Sequence, residues 1–521
     1  MSGWRTVGKC RRWIEVVTVL LALAVGPRSL AQSTVVQTDP VAGPGSSAHQ
    51  HVVRDSTGGL HLLSIFENGA GERELRLYHS TNGGSDWSLD PLLMNDDTSG
   101  LIAPNPTNVC AIAIDSQDRL HLTWASYYYP SNYQQYYRQV EPGTSTLSAI
   151  VDVSAITGAV ATNRTAAMEV TVDSNDTVWL VAHAASSWVE HLLQSDLPFA
   201  ADLAFSDVGA ISPSASAQNS RIAIDTAGRV HCSFYRNTGS GNYEHRIYEP
   251  GVGWGASTVI GDTTPTNDFY GSLAADALGN VHALIALNTG TGDDWLFQYR
   301  RWDEVAGWDA PVDVMLAPPL AYDGIANYRI FALACDETTG RAQLALRDLV
   351  NGGPLVLLAK ELADAGFSVV QELRSATLDA HAYYLPTIRG TLYPENNRTG
   401  STLDLTWQER PVPGVPPYEL RFQRVGGGAM FRRGDVNDDG LFDISDAVFA
   451  LASLFIPASP PPTCVDAADA NDDDVFDISD PVYTLAALFI PGSLPPPAPG
   501  PAACGSESGG SISCDTYTSC P

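Results

Sequence analysis

The sequence predicts a mainly β fold, in which a β-propeller of seven blades, or alternatively six, precedes a small α-helical module. Two observations predict this order. A short turn motif returns about every 50 to 60 residues, seven times along most of the chain. Near the C-terminus, two acidic twelve-residue loops are each followed by an apolar segment of helical length. We expect the propeller over residues 32–425, a linker over 426–433 and the helical module over 434–490.

The first 31 residues have the layout of an export signal. Four basic residues precede the apolar run 16–25, and Ser29-Leu-Ala31 supplies a small-x-small cleavage site. The run has about ten residues, half of what a membrane-spanning helix needs. We therefore predict a secreted or cell-surface protein without a membrane span. The net charge of −30 argues against nucleic acid as a partner, because phosphate binding needs a basic face.

Each copy of the turn motif is a strand that ends in Asp, a tight turn, and a second strand that often begins with His. The Asp starts such a turn by accepting backbone hydrogen bonds, and Gly or Asp fits the positive-φ position that follows. The histidines recur in equivalent places of different blades, so we expect a repeated structural role rather than one shared metal site. They are His61, His121, His231 and His282.

A third and a fourth strand follow each motif, as in residues 244–248 and 253–260. Four short antiparallel strands per repeat are typical of a propeller blade. The seventh repeat ends at its third strand, Tyr418–Val425. Residues 33–36 nearly copy a fourth strand, residues 257–260. We therefore expect the mature N-terminus to complete the last blade, which removes an exposed sheet edge.

Residues 80–87, Ser-Thr-Asn-Gly-Gly-Ser-Asp-Trp, resemble the Asp-box of sialidase-like propellers, with Asn82 where that family has Asp. Similar but shorter pairs stand in other blades, at Gly253-Trp254, Gly307-Trp308 and Gly366-Phe367. The resemblance covers most of residues 33–425 and implies the propeller fold. It also implies that these segments lie at outer turns, remote from the active site that the family uses.

Three arginines precede innermost strands, where side chains can face the central channel: Arg164, Arg221 and Arg329. Sialidases present arginines to a substrate carboxylate, and the planar guanidinium group suits bidentate binding of that anion. The resemblance therefore suggests these three residues as ligand-binding candidates. The alternative is that they are channel-lining or strand-end charges without a ligand.

A tyrosine-rich segment is the second ligand-binding candidate. Tyr127, Tyr128 and Tyr129 follow one another near the end of a predicted strand. Exposed aromatic rings stack on sugars, and a loop between strands presents them to solvent. Tyrosine also fills half-buried strand faces, so packing is the competing interpretation.

Two loops 34 residues apart match the twelve-residue calcium loop in phase. Oxygen donors stand at positions 1, 3, 5, 9 and 12, and position 7 offers its backbone carbonyl. The predicted ligands of two Ca²⁺ ions are Asp435, Asn437, Asp439, Leu441, Asp443 and Asp446 in the first loop and Asp469, Asn471, Asp473, Val475, Asp477 and Asp480 in the second. Position 6 is Gly440 in the first loop and Asp474 in the second, where we expect weaker binding.

Apolar segments at 447–455 and 481–489 complete one loop–helix unit in each repeat. Tandem units of this EF-hand-like kind resemble a dockerin type I module. The resemblance implies attachment to a cohesin-like or cell-surface protein. Dockerins carry hydroxyl residues at loop position 10, where this chain has Ile444 and Ile478, so a different partner stays open.

Seven cysteines follow the export segment. Four of them cluster towards the C-terminus, three of these within a Pro-rich tail over residues 491–521. Four clustered cysteines in an exported chain predict two disulfides, with three possible pairings. These are Cys464, Cys504, Cys514 and Cys520. Cys110, Cys232 and Cys335 lie in different repeats, too far apart for the short Cα separation of a disulfide, so we expect them to be buried as thiols.

Two functions are consistent with this organisation. The first is a non-catalytic secreted platform, whose propeller binds a glycan or a protein and whose calcium-binding tail mediates attachment or assembly. The alternative is an extracellular glycoside hydrolase or lyase that acts on polysaccharide and carries the same appendage. Carboxyl groups that converge in the channel would favour the enzyme. A channel lined only by arginines and small residues would favour the platform.

Overall fold

The fold is seen in a computed structural model. It describes residues 33–39, 52–67, 73–95, 106–128, 132–141, 147–158, 169–183, 189–196, 203–213, 217–236, 242–261, 270–288, 294–314, 320–321, 331–336, 339–347, 355–374, 387–390, 403–409, 418–425, 431–456, 459–473, 475–497, 499–502, 504, 514 and 517–520. The predicted export segment and most of the predicted linker lie outside these ranges. Within them, no helix has the length and hydrophobicity that crossing a membrane requires.

The strands of the described ranges form seven antiparallel sheets, which confirms the seven-bladed propeller over the six-bladed alternative. β1 (Thr34–Asp39) comes first in the chain but belongs to the last blade. Blade one contains β2 (Val52–Arg54), β3 (Leu60–Glu67), β4 (Arg73–Ser80) and β5 (Ser88–Leu89). Blade two contains β6 (Pro106–Ile114), β7 (Leu120–Tyr128), β8 (Asn132–Val140) and β9 (Val151–Asp152). Blade three contains β10 (Val170–Val172), β11 (Val178–His183), β12 (Glu190–Ser195) and β13 (Phe205–Ala210). A short helix, α1 (Val153–Ile156), follows β9.

Blades four and five are larger than the others, because short extra strands pair with their third strand. Blade four contains β14 (Gln218–Ile224), β15 (Val230–Arg236), β16 (Asn242–Glu249), β17 (Gly253–Trp254) and β18 (Thr258–Val259). Blade five contains β19 (Tyr270–Ala275), β20 (Val281–Asn288), β21 (Asp294–Asp303), β22 (Gly307–Trp308), β23 (Val312–Asp313) and β24 (Leu320–Ala321). Blade six contains β25 (Phe331–Cys335), β26 (Ala342–Arg347), β27 (Leu355–Lys360) and β28 (Ser368–Arg374). Blade seven combines β29 (Thr387–Gly390), β30 (Leu403–Glu409) and β31 (Tyr418–Val425) with β1.

The blades form a closed ring. The first strand of each blade touches the first strand of the next, from β2 and β6 round to β25, β29 and back to β2. β1 pairs antiparallel with β31 and so supplies the outer strand of blade seven from the other end of the chain. Gln37 of β1 accepts a hydrogen bond from the Tyr78 hydroxyl over 3.0 Å, which joins blade seven to blade one. The pairing leaves β31 without an exposed edge.

Apolar side chains fill the spaces between neighbouring blades. Between blades three and four, Trp179 and Val181 pack with Ile222, Ile224 and Phe234, all buried. Because each sheet has a neighbour on both faces, its strands are apolar on both faces, and this predicts the near-continuous hydrophobic runs of the second strands. The core therefore fixes the angle and spacing of the blades that carry the site described below.

The turns between first and second strands define what we call the lower edge of each blade. At four of them the ring Nε2 of the histidine lies 2.9 to 3.3 Å from Oδ2 of the aspartate six residues earlier. Each Nδ1 has a partner too, a second histidine ring or a tyrosine hydroxyl at 2.6 to 3.0 Å. In blade three the indole nitrogen of Trp179 takes the histidine's place on Asp173. These contacts confirm the repeated structural role.

The Asp-box-like segment forms the turn between β4 and β5. Asn82 accepts the backbone N–H of Asp86 over 2.9 Å, and the Ser80 hydroxyl accepts that of Gly84. Trp87 packs edge-on against Phe422 of blade seven, with ring centroids 5.1 Å apart. Gly84 has φ +93°, and a Cβ there would lie 2.0 Å from the Phe422 ring. The glycine is therefore required both for the backbone conformation and for the contact between blades.

The described residues of the C-terminal region form three helices, α2 (Ile444–Phe455), α3 (Val465–Ala468) and α4 (Ser479–Phe489). α2 begins earlier than the apolar pattern indicates, because Asp443 and Asp446 form a capping box at its N-terminus. Two disulfides join the four clustered cysteines and settle the open pairing: Cys464–Cys514 and Cys504–Cys520. Cys110, Cys232 and Cys335 are buried thiols that form no disulfide, as predicted.

Candidate active site

We call the edge of a blade where the second strand runs into the third its upper edge. At the upper edges of blades three and four lies a buried cluster of charged residues. Its members are Glu169, His183, Glu190 and Arg221, each at least nine-tenths buried. Glu169 immediately precedes the innermost strand β10, and Arg221 lies in the innermost strand β14. Burying four ionisable groups is costly unless they pair or bind a ligand, so the cluster needs an explanation beyond packing.

The strands of blade three bring His183 and Glu190 together. β11 is an uninterrupted apolar run that ends in His183, and β12 begins with Glu190. The two residues stand directly opposite each other in the antiparallel pair, so their side chains project on the same face. His183 Nε2 lies 3.8 Å from Glu190 Oε1, beyond hydrogen-bond distance.

The backbone of His183 is held by blade two. Its N–H donates to the side-chain carbonyl of Gln135 over 2.9 Å, and its carbonyl accepts the Thr157 hydroxyl over 2.6 Å. Among the described residues, none forms a hydrogen bond with the ring Nε2. Burial lowers the pKa of His183 to about 4, so the ring is neutral at neutral pH and can accept a proton.

Glu190 reaches from blade three to blade four. Its carboxylate accepts the backbone N–H groups of Asn219 and Ser220 over 3.1 and 2.8 Å. Asn219 has φ +54°, in the left-handed region, and sits within an irregularity of β14 that turns both N–H groups to one side. Burial raises the pKa of Glu190 to about 7, although the hydrogen bonds and Arg221 act in the opposite direction.

Arg221 has only part of its guanidinium engaged. Nη1 donates to the Ser220 carbonyl over 3.0 Å and lies 3.2 Å from Oε1 of Glu169. No acceptor within the described part of the chain contacts Nε or Nη2. These two nitrogens form one side of the planar donor fork, the side that binds a carboxylate with two parallel hydrogen bonds.

The cluster therefore combines a buried guanidinium with unused donors, a neutral imidazole with an unused nitrogen, and a carboxyl group that titrates near neutral pH. These groups can bind an anionic ligand, remove a proton from it and exchange a proton with it. Perturbed pKa values of opposite direction on neighbouring groups are typical of acid–base pairs in active sites.

Of the six predicted ligand-binding residues, the structure places Arg221 in this cluster. Arg164 and Arg329 lie outside the described residues, as does Tyr129. Tyr127 and Tyr128 end strand β7, and their side chains are outside the description. Elsewhere in the same aromatic segment Trp124 and Tyr137 are buried in the core between blades.

Sequence reasoning missed Glu169, His183 and Glu190. A usable pattern existed for two of them: His183 closes the apolar run of β11, and Glu169 stands immediately before the apolar strand β10. Both are ionisable residues at one end of a buried, largely apolar strand. The pairing of Glu190 with blade four had no such pattern, because it depends on a bend in a different blade.

The acidic loops form a second candidate site. Asp446 and Asp480, at position 12 of each loop, are fully buried and accept backbone N–H groups, among them those of Asp443 and Asp477 over 2.9 and 2.8 Å. Burial raises the pKa of Asp446 to about 6 and that of Asp480 to about 7. Carboxyl groups buried at equivalent places of two loops fit a site for a hard cation.

The described residues contain no group of three or more His, Cys, Asp or Glu side chains placed to hold a metal ion together. The loops' donor set also includes the amide oxygens of Asn437 and Asn471 and the carbonyls of Leu441 and Val475, which suit Ca²⁺ by their chemistry. Asp474 lies outside the described residues. Calcium binding stays a prediction on this basis.

No protein-family model matches the chain, and no curated protein matches it. Solved structures do. An ulvan lyase from a new family of polysaccharide lyases is 12% identical over 75% of this chain and 95% of that chain, with a TM-score of 0.50. The structure of such a lyase bound to a GlcA–Rha3S repeat has a TM-score of 0.49 at the same identity and coverage. The structure of an α-L-arabinofuranosidase of Fusarium graminearum with arabinobiose is 8% identical over 75% of this chain and 97% of that chain, with a TM-score of 0.43. At such identities the likeness shows the propeller fold.

Proposed function

We propose that the propeller is an extracellular enzyme that cleaves a polysaccharide containing uronic acid, by elimination. The observation that carries the proposal is the buried pair of unused groups, the Nε and Nη2 donors of Arg221 and the neutral Nε2 of His183. A uronic acid has the matching chemistry, a carboxylate next to a carbon-bound proton. Of the two functions considered from the sequence, this one develops the enzyme alternative.

In this elimination, the substrate carboxylate binds the Arg221 fork. Neutralising the carboxylate makes the adjacent C5 proton more acidic, because the carbanion's charge spreads onto the carboxylate oxygens. His183 Nε2 takes that proton as general base. The C5 electron pair forms a C4=C5 double bond, the C4–O4 bond breaks, and the departing O4 takes a proton from a general acid.

Glu190 fits the acid role by its pKa of about 7, since it is partly protonated at neutral pH. Glu169 has a positioning role, because its contact with Nη1 fixes the guanidinium while leaving the opposite side of the fork for substrate. The neighbour with a TM-score of 0.50 is described as a polysaccharide lyase, which supports this reaction class over others on the same fold.

Hydrolysis is the second candidate, because two glutamates converge on Arg221 and a raised carboxyl pKa also suits the general acid of a glycosidase. The two reactions leave different products. Purified protein is incubated with ulvan, with other uronate polysaccharides and with a neutral polysaccharide. Elimination gives an unsaturated end group that absorbs in the ultraviolet, and hydrolysis gives reducing ends without it. Uronate binding without either product would support the non-catalytic platform.

We further propose that the acidic loops bind two Ca²⁺ ions and that the module attaches the secreted enzyme to a cohesin-like or cell-surface protein. Ca²⁺ would neutralise the buried carboxylates and so couple metal binding to folding of the module. Calorimetric titration of the full chain tests the ion count. We expect two ions for the wild type and one for Asp446→Asn, with Asp313→Asn on the propeller surface as the control. A wild type that binds none contradicts this part of the proposal.

A further inference from the structure

The C-terminal segment contacts the first acidic loop. The Tyr517 hydroxyl donates to the carboxylate of Asp435, the residue at loop position 1. The backbone N–H groups of Thr518 and Ser519 donate to the Asp438 carboxylate over 2.7 and 2.8 Å. The Ser519 hydroxyl donates to the Asp438 carbonyl over 2.7 Å. Residues 517–519 therefore bond to the side chain at position 1 and to both the side chain and the backbone carbonyl at position 4.

Covalent bonds keep this segment on the loop. Tyr517 lies between Cys514 and Cys520, which are bonded to Cys464 and Cys504 respectively. Tyr517 and these cysteines pack in one small apolar cluster around the buried Phe431. The segment is thus a fixed part of the module rather than a free tail.

The second loop has a different partner at the same places. Asp472 is the equivalent of Asp438, and both have left-handed backbones, with φ +65° and +58°. The Asp472 carboxylate lies 2.9 Å from Nη2 of the buried Arg433. Nη1 of the same arginine donates to the carbonyl of Asp469, at position 1, over 2.7 Å. Arg433 therefore does for the second loop what the C-terminal segment does for the first.

There is a physical reason why the residue at position 4 of each loop bonds to a partner outside the loop. A non-glycine residue with positive φ is strained, and it persists only where surrounding contacts hold it. Each loop carries that strain at position 4, and each has an outside partner that bonds to it. The partners at position 4 differ in charge: neutral hydroxyl and amide groups bond to Asp438 in the first loop, whereas the Arg433 guanidinium contacts Asp472 in the second.

We propose that the C-terminal segment is an outer cap that orients the first calcium loop, with Tyr517 as its positioning residue, so that the two loops bind Ca²⁺ with separately set affinities. The inference rests on the calcium binding proposed above. Substituting a group that bonds to a metal ligand from outside costs about 10- to 100-fold in affinity. Losing the Tyr517 hydroxyl therefore weakens one of two sites about 10-fold and leaves the other unchanged.

The test is a competitive titration of the full chain with Ca²⁺ alone, against a chromophoric chelator. Tyr517→Phe is compared with the wild type and with Tyr483→Phe, whose hydroxyl donates to the Pro495 carbonyl at the module's surface. We expect two sites in all three proteins, with one weakened in Tyr517→Phe only. Two unchanged sites in Tyr517→Phe would overturn the cap while leaving calcium binding intact. A wild type that binds no Ca²⁺ would overturn both.

A metal-free measurement tests the cap in a second way. In chelator, hydrogen exchange of the Gly440 amide, which bonds to the Asp435 carboxylate over 2.9 Å, reports on the first loop. The Asp473 amide, bonded to Asp469 over 3.2 Å, reports on the second. Tyr517→Phe should speed exchange at Gly440 several-fold and leave Asp473 unchanged. Equal exchange at Gly440 in both proteins would contradict the cap.

Discussion

Histidines at the two edges of the propeller differ in what their rings touch. At the lower edge, His282 bonds through Nε2 to Asp276 and through Nδ1 to the Tyr299 hydroxyl, and both ring nitrogens are used. At the upper edge, His183 is almost as deeply buried, yet no described residue bonds to its Nε2. The same residue type is structural where its hydrogen bonds are complete and available for chemistry where they are not.

The arginines show the same contrast. Arg229, at the lower edge of blade four, donates to the Asp225 carboxylate through Nε over 2.7 Å, and its charge is also paired with Glu304. Arg221, one strand earlier, keeps Nε and Nη2 unused within the described structure. Repetition around the ring accompanies the completed pairs, whereas blades three and four place an incompletely bonded guanidinium, that of Arg221, in the same buried cluster as the incompletely bonded imidazole of His183.

Replacing Arg221 should have the largest effect. Arg221→Lys keeps the charge but loses the two-donor fork, and we expect kcat/KM on a uronate polysaccharide to fall about 100- to 1,000-fold. The fold should survive, because an ammonium group can still pair with Glu169. Arg301→Lys, on blade five and 3.9 Å from Asp309, is the matched control and should keep its activity. Equal activity of both variants would contradict the role of the fork.

Replacing a lower-edge aspartate should affect stability rather than turnover. Asp225 accepts the N–H groups of Ala227 and Arg229 and the side chains of Arg229 and His231. In Asp225→Asn the amide would face two donors, so we expect about 3–4 kcal/mol of lost stability, measured by thermal unfolding. The kcat below the melting temperature should stay close to that of the wild type. A large fall in kcat without a fall in Tm would reverse the assignment of the two edges.

The pH dependence of stability should reveal Glu190. Its pKa rises from 4.5 to about 7 on folding, so its contribution is complete below pH 4.5 and is lost as the pH rises to about 7. His183 acts oppositely: its pKa falls to about 4, and its contribution is lost as the pH falls from 6.5. The two nearly cancel in the wild type. Relative to Glu190→Gln, the wild type should lose about 3 kcal/mol between pH 4.5 and 7; a constant difference would contradict the raised pKa.

The smallest effect concerns the Asp-box-like turn. Asn82 donates through Nδ2 to the Asp86 carboxylate over 3.0 Å, so aspartate at this position would put two carboxylates together. We therefore expect Asn82→Asp to destabilise the propeller by about 0.5–1 kcal/mol, although it restores the residue usual in sialidase-like propellers. Chemical denaturation with and without added salt measures the change, which salt should reduce. Stabilisation by Asn82→Asp would contradict this account of the turn.

The fold was predictable because its determinants repeat. Seven copies of one Asp-turn motif predict seven blades, and the likeness of residues 33–36 to 257–260 points to the strand that pairs with β31. The structural role of His61 and its equivalents followed from the same repetition. Helices α2 and α4 followed from two loops in phase, whereas the short α3 and the first turn of α2, which depends on the Asp443 cap, did not.

The site was only partly predictable, because it depends on differences between blades. Arg221 was found from its place before an innermost strand, but its useful feature is the set of bonds it does not make. Glu190 reaches its partners through the bend at Asn219 in a neighbouring blade, which no local pattern indicates. Likewise, the contact of Tyr517 with Asp435 joins residues 82 positions apart and depends on a disulfide pairing that the sequence leaves open.

The most direct test of the central claim compares His183→Asn with His282→Asn, measuring Tm and turnover of a uronate polysaccharide in the same preparations. We expect the two variants to lose different properties. His183→Asn keeps its Tm within a few degrees and loses turnover, whereas His282→Asn loses about 2–3 kcal/mol of stability and keeps turnover below its Tm. If His183→Asn also loses stability and its remaining folded fraction turns over normally, the upper-edge cluster is structural, and the proposed active site is wrong.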